Sequence, residues 1–251
     1  MLLGDIYKKL ETYMPLSLCE DWDNSGLLIN ADQEVNRILL SLDITDAVIT
    51  EAIEKQCDLI ITHHPVIFKA PKKLNSHDLV YQLIRHQISV ISMHTNLDAT
   101  EGGVNDVLAD RIGVENTEVF AEIGRMGDIK GYTSVRQLAK HIARMLDTPL
   151  QYTLGDHTVE RIGLIGGSAG SYWREAKAAG LDVFLTGEAS HHDALDAAHE
   201  GVALIVAGHW KTEVPVLGYL KQILEQDILK NQSVTVLVSE KDCSPFTFEG
   251  I

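Results

Sequence analysis

Apolar and polar positions alternate along this chain with two periods. Leu3, Ile6, Tyr7 and Leu10 recur at helical spacing and predict a helix over about Leu3–Met14. Short β-branched runs follow, predicting strands near Ser25–Ile29 and Val35–Leu42, then a helix over Asp46–Gln56 and a strand at Asp58–Thr62. A polar loop, Lys69–Ser76, leads to a helix near His77–His86, a strand at Ile88–Met93 and a helix at Val104–Ile112. The remainder repeats that order: a helix over Ser134–Leu146, strands at Leu150–Leu154 and Val159–Ile165, and a helix at Tyr172–Ala179. Strand Val183–Thr186, helix Asp193–Glu200, strand Ala203–Ala207, helix Val214–Gln226 and strand Ser233–Ser239 complete it. Alternating helices and short apolar strands predict α/β layers around mainly parallel sheets.

The recurrence extends to residues. Arg37–His64 laid over Arg161–Glu188 at an ungapped offset of 124 matches Arg37/Arg161, Ile38/Ile162, Leu40/Leu164, Glu51/Glu175, Ala52/Ala176, Asp58/Asp182 and Thr62/Thr186. An internal duplication is the expectation, with one α/β domain over 1–124 and a similar one over 125–251. The seam falls near Ala121–Gly131, punctuated by Gly124, Gly127 and Gly131.

Candidate chemistry sits where α/β proteins usually place it, just past the carboxyl ends of strands. Asp58–Thr62 runs into His63-His64-Pro65; Ile88–Met93 runs into His94-Thr95-Asn96-Leu97-Asp98; Ala203–Ala207 runs, after Gly208, into His209-Trp210-Lys211-Thr212-Glu213. The last two are His-x3-carboxylate segments aligned at an offset of 115. A histidine pair by itself reads equally well as solvent-facing loop residues. Three such strand ends together point to a shared metal site. Glu188, the repeat counterpart of His64, is a further near-site candidate, whereas Ser190 and Asp193 fit a helix N-capping pair. His191 and His192 face either the site or solvent. A set of imidazoles and carboxylates without thiolate suits zinc, iron, nickel or manganese. Two such ions sharing a carboxylate would stay open to water and could polarise a substrate oxygen or nitrogen, which points to hydrolysis. Lys69, Lys72 and Lys73 are a small basic loop that either meets a substrate phosphate or is simply solvated. Gly166–Gly170 could hold an anion on its amides but lacks P-loop and dinucleotide-binding spacing, and reads as a tight turn.

Composition narrows the classes. The chain has 251 residues, 36 Asp+Glu against 21 Lys+Arg, a formal charge of −15 and eleven histidines. Such acidity argues against broad nucleic-acid binding, though not against a small nucleotide in a local site. Apolar stretches fall far short of the roughly 20 residues that span a bilayer. Met1–Leu10 carries Asp5, Lys8 and Lys9 and lacks a signal peptide's apolar core. Cys19, Cys57 and Cys243 have no CxxC spacing and read as thiols of a reducing compartment, so a cytoplasmic location without membrane contact is expected.

The ordered segments WDNSGLLIN, LIITHHPVIF, MHTNLDATEGGVND, GLIGGSAG, FLTGEASHHDALDA and GHWKTE make the chain resemble, over essentially its whole length, the Nif-three-like family. Many members of that family are labelled GTP cyclohydrolase 1 type 2 homologues, and a length near 250 resembles the short bacterial form. The resemblance implies two similar α/β domains, a site for two divalent metal ions in the cleft between them, and a toroidal homohexamer. By motif it implies His63, His64, Asp98, His209 and Glu213 as metal ligands, with Glu213 bridging and His94 an outer or alternate ligand. Lys211 stands where the family pattern has a small residue and is expected to point away from the ligands. The implied activity is metal-dependent hydrolysis of a purine nucleotide or a related small phosphorylated substrate, with His94 and Glu188 as candidate proton-transfer groups. A non-enzymatic metal-binding assembly or regulatory interaction protein is the alternative.

Overall fold

The computed structural model describes residues 1–247 and Glu249. Its strands are β1 (Gly26–Ile29), β2 (Arg37–Ser41), β3 (Leu59–Thr62), β4 (Ser89–Ser92), β5 (Glu115–Phe120), β6 (Gly124–Asp128), β7 (Gln151–Tyr152), β8 (Arg161–Ile165), β9 (Val183–Thr186), β10 (Ala203–Val206) and β11 (Thr235–Val238). Its helices are α1 (Leu3–Tyr13), α2 (Asp46–Glu54), α3 (Leu79–Arg85), α4 (Thr95–Ala99), α5 (Val104–Ile112), α6 (Val135–Leu146), α7 (Trp173–Ala178), α8 (His191–His199), α9 (His209–Glu213) and α10 (Val216–Ile223). They form two units: Met1–Thr100 with Leu217–Cys243, and Glu101–Val216 with the residues from Ser244 on.

The first unit holds a five-stranded sheet in the order β1-β4-β3-β2-β11. All neighbours in it are parallel except β1, which runs antiparallel along β4. Every residue of β3 and β4 is buried, the pattern of strands covered on both faces. On one face Leu39, Ile60 and Val90 pack with Val48, Ile49 and Ala52 of α2 and Leu83 of α3. α2 starts where Thr45 caps it, the side-chain oxygen accepting from Val48 N. Parallel register pairs Ser41 with Thr62 and Thr62 with Ser92, so β2, β3 and β4 end at one level.

The second unit holds a six-stranded sheet in the order β5-β6-β8-β9-β10-β7. Its middle, β8-β9-β10, is parallel and again buried. Val183 and Leu185 face α5 and α6, whereas Phe184, between them in β9, faces Trp173 and Ala176 of α7 and Ala197 of α8. The capping pair in α8 forms as expected, with Ser190 accepting from Asp193 N. Two sheets, each with helices packed on it, fit two α/β domains.

The aspartates matched at an offset of 124 do the same work in each unit. Asp58 Oδ2 accepts from the amides of Asn36 and Arg37 at 2.7 and 2.9 Å. Asp182 Oδ2 accepts from those of Glu160 and Arg161 at 2.9 Å each. Each carboxylate thereby pins the start of its strand to the neighbouring one.

Three features differ from the sequence expectations. First, the chain does not divide at 124/125. β11, assigned above to the second half, lies parallel to β2 in the first unit and pairs the edge that β2 would otherwise leave open. The segment after it is anchored by buried side chains: Asp242 accepts from Leu42 N, and Glu51 accepts from Ser239 Oγ, Glu240 N (3.0 Å) and Lys55 Nζ (2.7 Å). Positions 248, 250 and 251 of the second assignment lie outside the described residues. Second, the glycine-punctuated seam is a hairpin, β5-β6, with Gly124 and Gly127 inside β6. A Cβ on Gly127 would stand 2.4 Å from Glu115 O and 2.7 Å from Val114 Cγ1, and one on Gly124 would stand 2.5 Å from Leu164 O. These glycines permit close strand contact; they are not a linker. Third, two one-turn helices that the periodicity did not predict carry the His-x3-carboxylate segments: α4, preceded by His94 at its N-cap, and α9, which holds the whole second segment.

Gly127→Ala is expected to destabilise the protein by roughly 1–3 kcal/mol in urea unfolding, because the obstruction is backbone and cannot move aside. For Glu51, burial raises the carboxyl pKa, but hydrogen bonds from Lys55, Ser239 and Glu240 N outweigh it and hold the group below its usual range. A depressed folded-state pKa contributes stability above the unfolded value, about 4.3, and loses it as pH falls through the folded one. The stability gap between wild type and Glu51→Gln is therefore expected to be full at pH 7 and to shrink below about pH 4, measured by denaturant titration across that range.

Candidate metal centre

In the first unit the histidine pair continues the β3 ladder. His63 N donates to Ser41 O at 3.3 Å and His64 N to Leu42 O at 2.9 Å. Thr62 Oγ1 lies 2.8 Å from Leu42 O and 3.2 Å from His64 O, which fixes the bend at the strand end. The two rings converge, with centroids 4.8 Å apart, and the His94 ring lies 5.2 Å from His63 and 5.5 Å from His64. One ligand-capable atom from each of the three lies within 4.8 Å of the others.

Each of these rings is oriented by an oxygen at Nδ1. His63 Nδ1 meets Met93 O at 2.9 Å, His64 Nδ1 meets Asp43 Oδ1 at 2.8 Å, and His94 Nδ1 meets Asp23 Oδ1 at 2.7 Å. A carbonyl or carboxylate oxygen can only accept, so Nδ1 carries the proton and Nε2 is the lone-pair nitrogen. Histidine metal ligands are commonly prepared in this way. Asp98, one turn along α4 from His94, brings Oδ1 to 3.6 Å from His63 Nε2. Three imidazoles presenting Nε2, with a carboxylate beside them, are a donor set that fits a divalent transition metal.

Asp23 is the best-anchored of these groups. Its side chain is wholly buried and accepts from Ser25 Oγ (2.8 Å), Thr95 N (3.1 Å) and Thr95 Oγ1 (2.7 Å) in addition to His94. Burial by itself would raise its pKa, but the hydrogen bonds from His94, Thr95 and Ser25 prevail and hold it well below the usual carboxylate range.

In the second unit α9 puts His209 and Glu213 on one face, four residues apart, with His209 Nε2 3.2 Å from Glu213 Oε2. Glu213 is buried. Glu188, about half exposed, reaches His209 Nδ1 at 3.5 Å. The helix sits directly on two glycine turns. A Cβ on Gly167 (φ +65°) would stand 2.2 Å from Glu213 Oε1, and one on Gly187 would stand 2.7 Å from His209 Cα. Thr212 Oγ1 accepts from Gly167 N at 3.1 Å and ties helix to turn.

Three amides of the glycine-rich turn are used inside the fold. Gly166 N donates to Asn105 Oδ1, Gly167 N to Thr212 Oγ1 and Ala169 N to Thr186 Oγ1, so those amides are already committed. His191 and His192 are exposed on the first turn of α8 and join none of the ligand clusters among the described residues. Lys211 points to Asp147 (3.4 Å) and packs over the Trp210 ring, turned away as expected. Lys69, Lys72 and Lys73 are exposed.

Sequence reading passed over Asp23 and Asp43. Asp43 follows the end of β2, so the strand-end rule that selected His63 applied to it too. Asp23 carried no local signal in its acidic loop, because its partner is 71 residues away. Asp43→Ala is expected to weaken Zn(II) binding by roughly 10- to 100-fold in chelator competition, through loss of the His64 orientation. Unchanged affinity would exclude His64 as a ligand held by this carboxylate.

The family profile described as Duf34/NIF3 (NGG1p interacting factor 3) matches residues 1–245. A Clostridium acetobutylicum protein named GTP cyclohydrolase 1 type 2 homolog is 32% identical over 98% of each chain. The Saccharomyces cerevisiae NGG1-interacting factor 3 is 29% identical over 98% of this chain and 96% of its own. The crystal structure of a Staphylococcus aureus hypothetical protein superposes with a TM-score of 0.92, at 31% identity and 99% coverage of both chains.

Proposed function

The chain belongs to the Duf34/NIF3 family, and on that premise we propose that it is a metal-dependent hydrolase of a purine nucleotide or a related small phosphorylated substrate. The observation that carries this reading is the set of three histidines, each locked at Nδ1 and presenting Nε2 to one small space beside Asp98. In the proposal His63, His64, Asp98, His209 and Glu213 would together hold two divalent ions, zinc, iron, nickel or manganese. An internal duplication accounts for donors of the same kind at equivalent strand ends. The ions would supply Lewis acidity, polarising a substrate oxygen or nitrogen and acidifying water.

The chain's own residues do the positioning. Asp43 and Met93 O fix the faces of His64 and His63. Buried, ionised Asp23 keeps the Nδ1 proton on His94, which makes His94 an alternate ligand. That leaves Glu188, open to solvent and 3.5 Å from His209 Nδ1, as the group placed to take up or return a proton. The name of the clostridial relative supports a cyclohydrolase-type reaction, in which water opens the guanine imidazole ring and C8 leaves as formate. In this reading the protein acts in the cytoplasm as a toroidal homohexamer, with a small molecule and not a nucleic acid or membrane as its partner. The yeast relative's name favours a second reading, a non-enzymatic metal-binding assembly or regulatory interaction protein.

Metal analysis together with formate release from GTP separates the two. The hydrolase reading expects about two ions per chain after metal loading, formate release by wild type, and its fall to background in Glu213→Gln. Stoichiometric metal with equal background formate in both proteins would support the second reading. Less than about one ion per chain would remove the dinuclear site from either.

A further inference from the structure

Beside the histidine cluster, in the first unit, two large apolar rings stand open to solvent. Trp22 is 59% exposed and Phe68 47%. Their centroids lie 5.8 Å apart at an interplanar angle of 39°. Both meet His94 edge-on, at 5.9 and 6.2 Å.

These rings sit on anchored backbone. Trp22 precedes Asp23, which is pinned by the four hydrogen bonds described above. Asn24 Nδ2 donates to Ile67 O, the residue before Phe68, and so ties the two loops to each other. The segment directly after Phe68 carries Lys69, Lys72 and Lys73, all exposed, in a chain of net charge −15. An aromatic pair and a histidine edge thus meet in space, and three exposed cations follow Phe68 within five positions of the chain.

We propose that Trp22 and Phe68 form a stacking platform for a planar heteroaromatic ring of the substrate. The lysine loop meets that substrate's phosphate, and the ring is presented beside His94. The platform deepens the hydrolase reading, and its substrate assignment rests on that reading. Aromatic faces accept any flat π-system and gain from excluding water on both partners, while an adjacent basic loop selects an anionic ligand. The size of the patch argues against a protein occupant. Fully burying two aromatic side chains removes at most a few hundred Å², well below the roughly 800 Å² per partner of a stable protein interface.

The test compares GMP with ribose 5-phosphate, which shares the sugar phosphate and lacks the ring, by calorimetry on the full-length protein, metal-free and metal-loaded. Wild type is expected to bind GMP about tenfold or more tightly than ribose 5-phosphate. That margin should collapse in Trp22→Ala, shrink in Phe68→Ala and survive in Trp22→Phe. Both side chains are exposed, so the alanine variants are expected to fold and to keep wild-type metal content. Equal binding of the two ligands by wild type, or a margin untouched by both alanine variants, would overturn the proposal. A change of assembly mass in Trp22→Ala by light scattering, with GMP binding unchanged, would assign the surface to a second copy and also overturn it. The two readings fail separately. A ring-dependent margin that needs Trp22, in a protein that releases no formate, keeps the platform and removes the cyclohydrolase. Formate release with unaltered KM in Trp22→Ala keeps the hydrolase and removes the platform.

Discussion

Each imidazole of the centre must show the same nitrogen to the same space, and that demand organises the first unit. An unconstrained histidine neither chooses a tautomer nor holds a ring angle. Here three different oxygens choose for it: a backbone carbonyl at Met93 and the carboxylates of Asp43 and Asp23. Those oxygens come from the residue just after β4, the second residue past β2, and a loop before β1. They can meet the rings because β2, β3 and β4 are parallel, adjacent and in a register that ends all three at one level. The strands are buried on both faces, so register slippage would expose a continuous apolar core. Core packing is in this sense what holds the tautomers.

The second unit meets a different difficulty, the burial of a carboxylate. Glu213 sits beside His209 on a single helical turn, too short to be stable alone. Its stability comes from seating on backbone. Gly167 and Gly187 let the helix approach to distances that any side chain would block, and Thr212 bonds the turn beneath. A glycine-rich motif next to a strand suggests phosphate binding when read alone. In this protein the glycines make room for a helix that carries donors.

Acidity has two roles that net charge does not separate. Most carboxylates are solvated, whereas Asp23, Glu51, Asp58, Asp182 and Asp242 are structural acceptors for backbone amides, hydroxyls or an imidazole. The pairing of Asp58 and Asp182 at equivalent strand starts, together with the parallel β2-β3-β4 and β8-β9-β10 runs, gives both units the same internal frame. Against this background the exposed lysines after Phe68 are locally distinct.

The α/β class, the helices α1–α3, α5–α8 and α10, the buried parallel strands and the strand-end positions of His63, His64, His94, Asp98, His209 and Glu213 were legible in the sequence. Period-two and period-3.6 patterns are local, and a strand-end histidine announces itself by position. Asp23 as the partner of His94, the place of β11 beside β2, and the hairpin in which Gly124 and Gly127 lie were decided by tertiary structure. The first two depend on contacts between residues remote in sequence: 71 positions for Asp23 and His94, and about 200 for Asp242 and Leu42. Such contacts leave no periodic trace, because the energy that selects them is the pairing of a buried polar group or an open strand edge, available only once the core has formed.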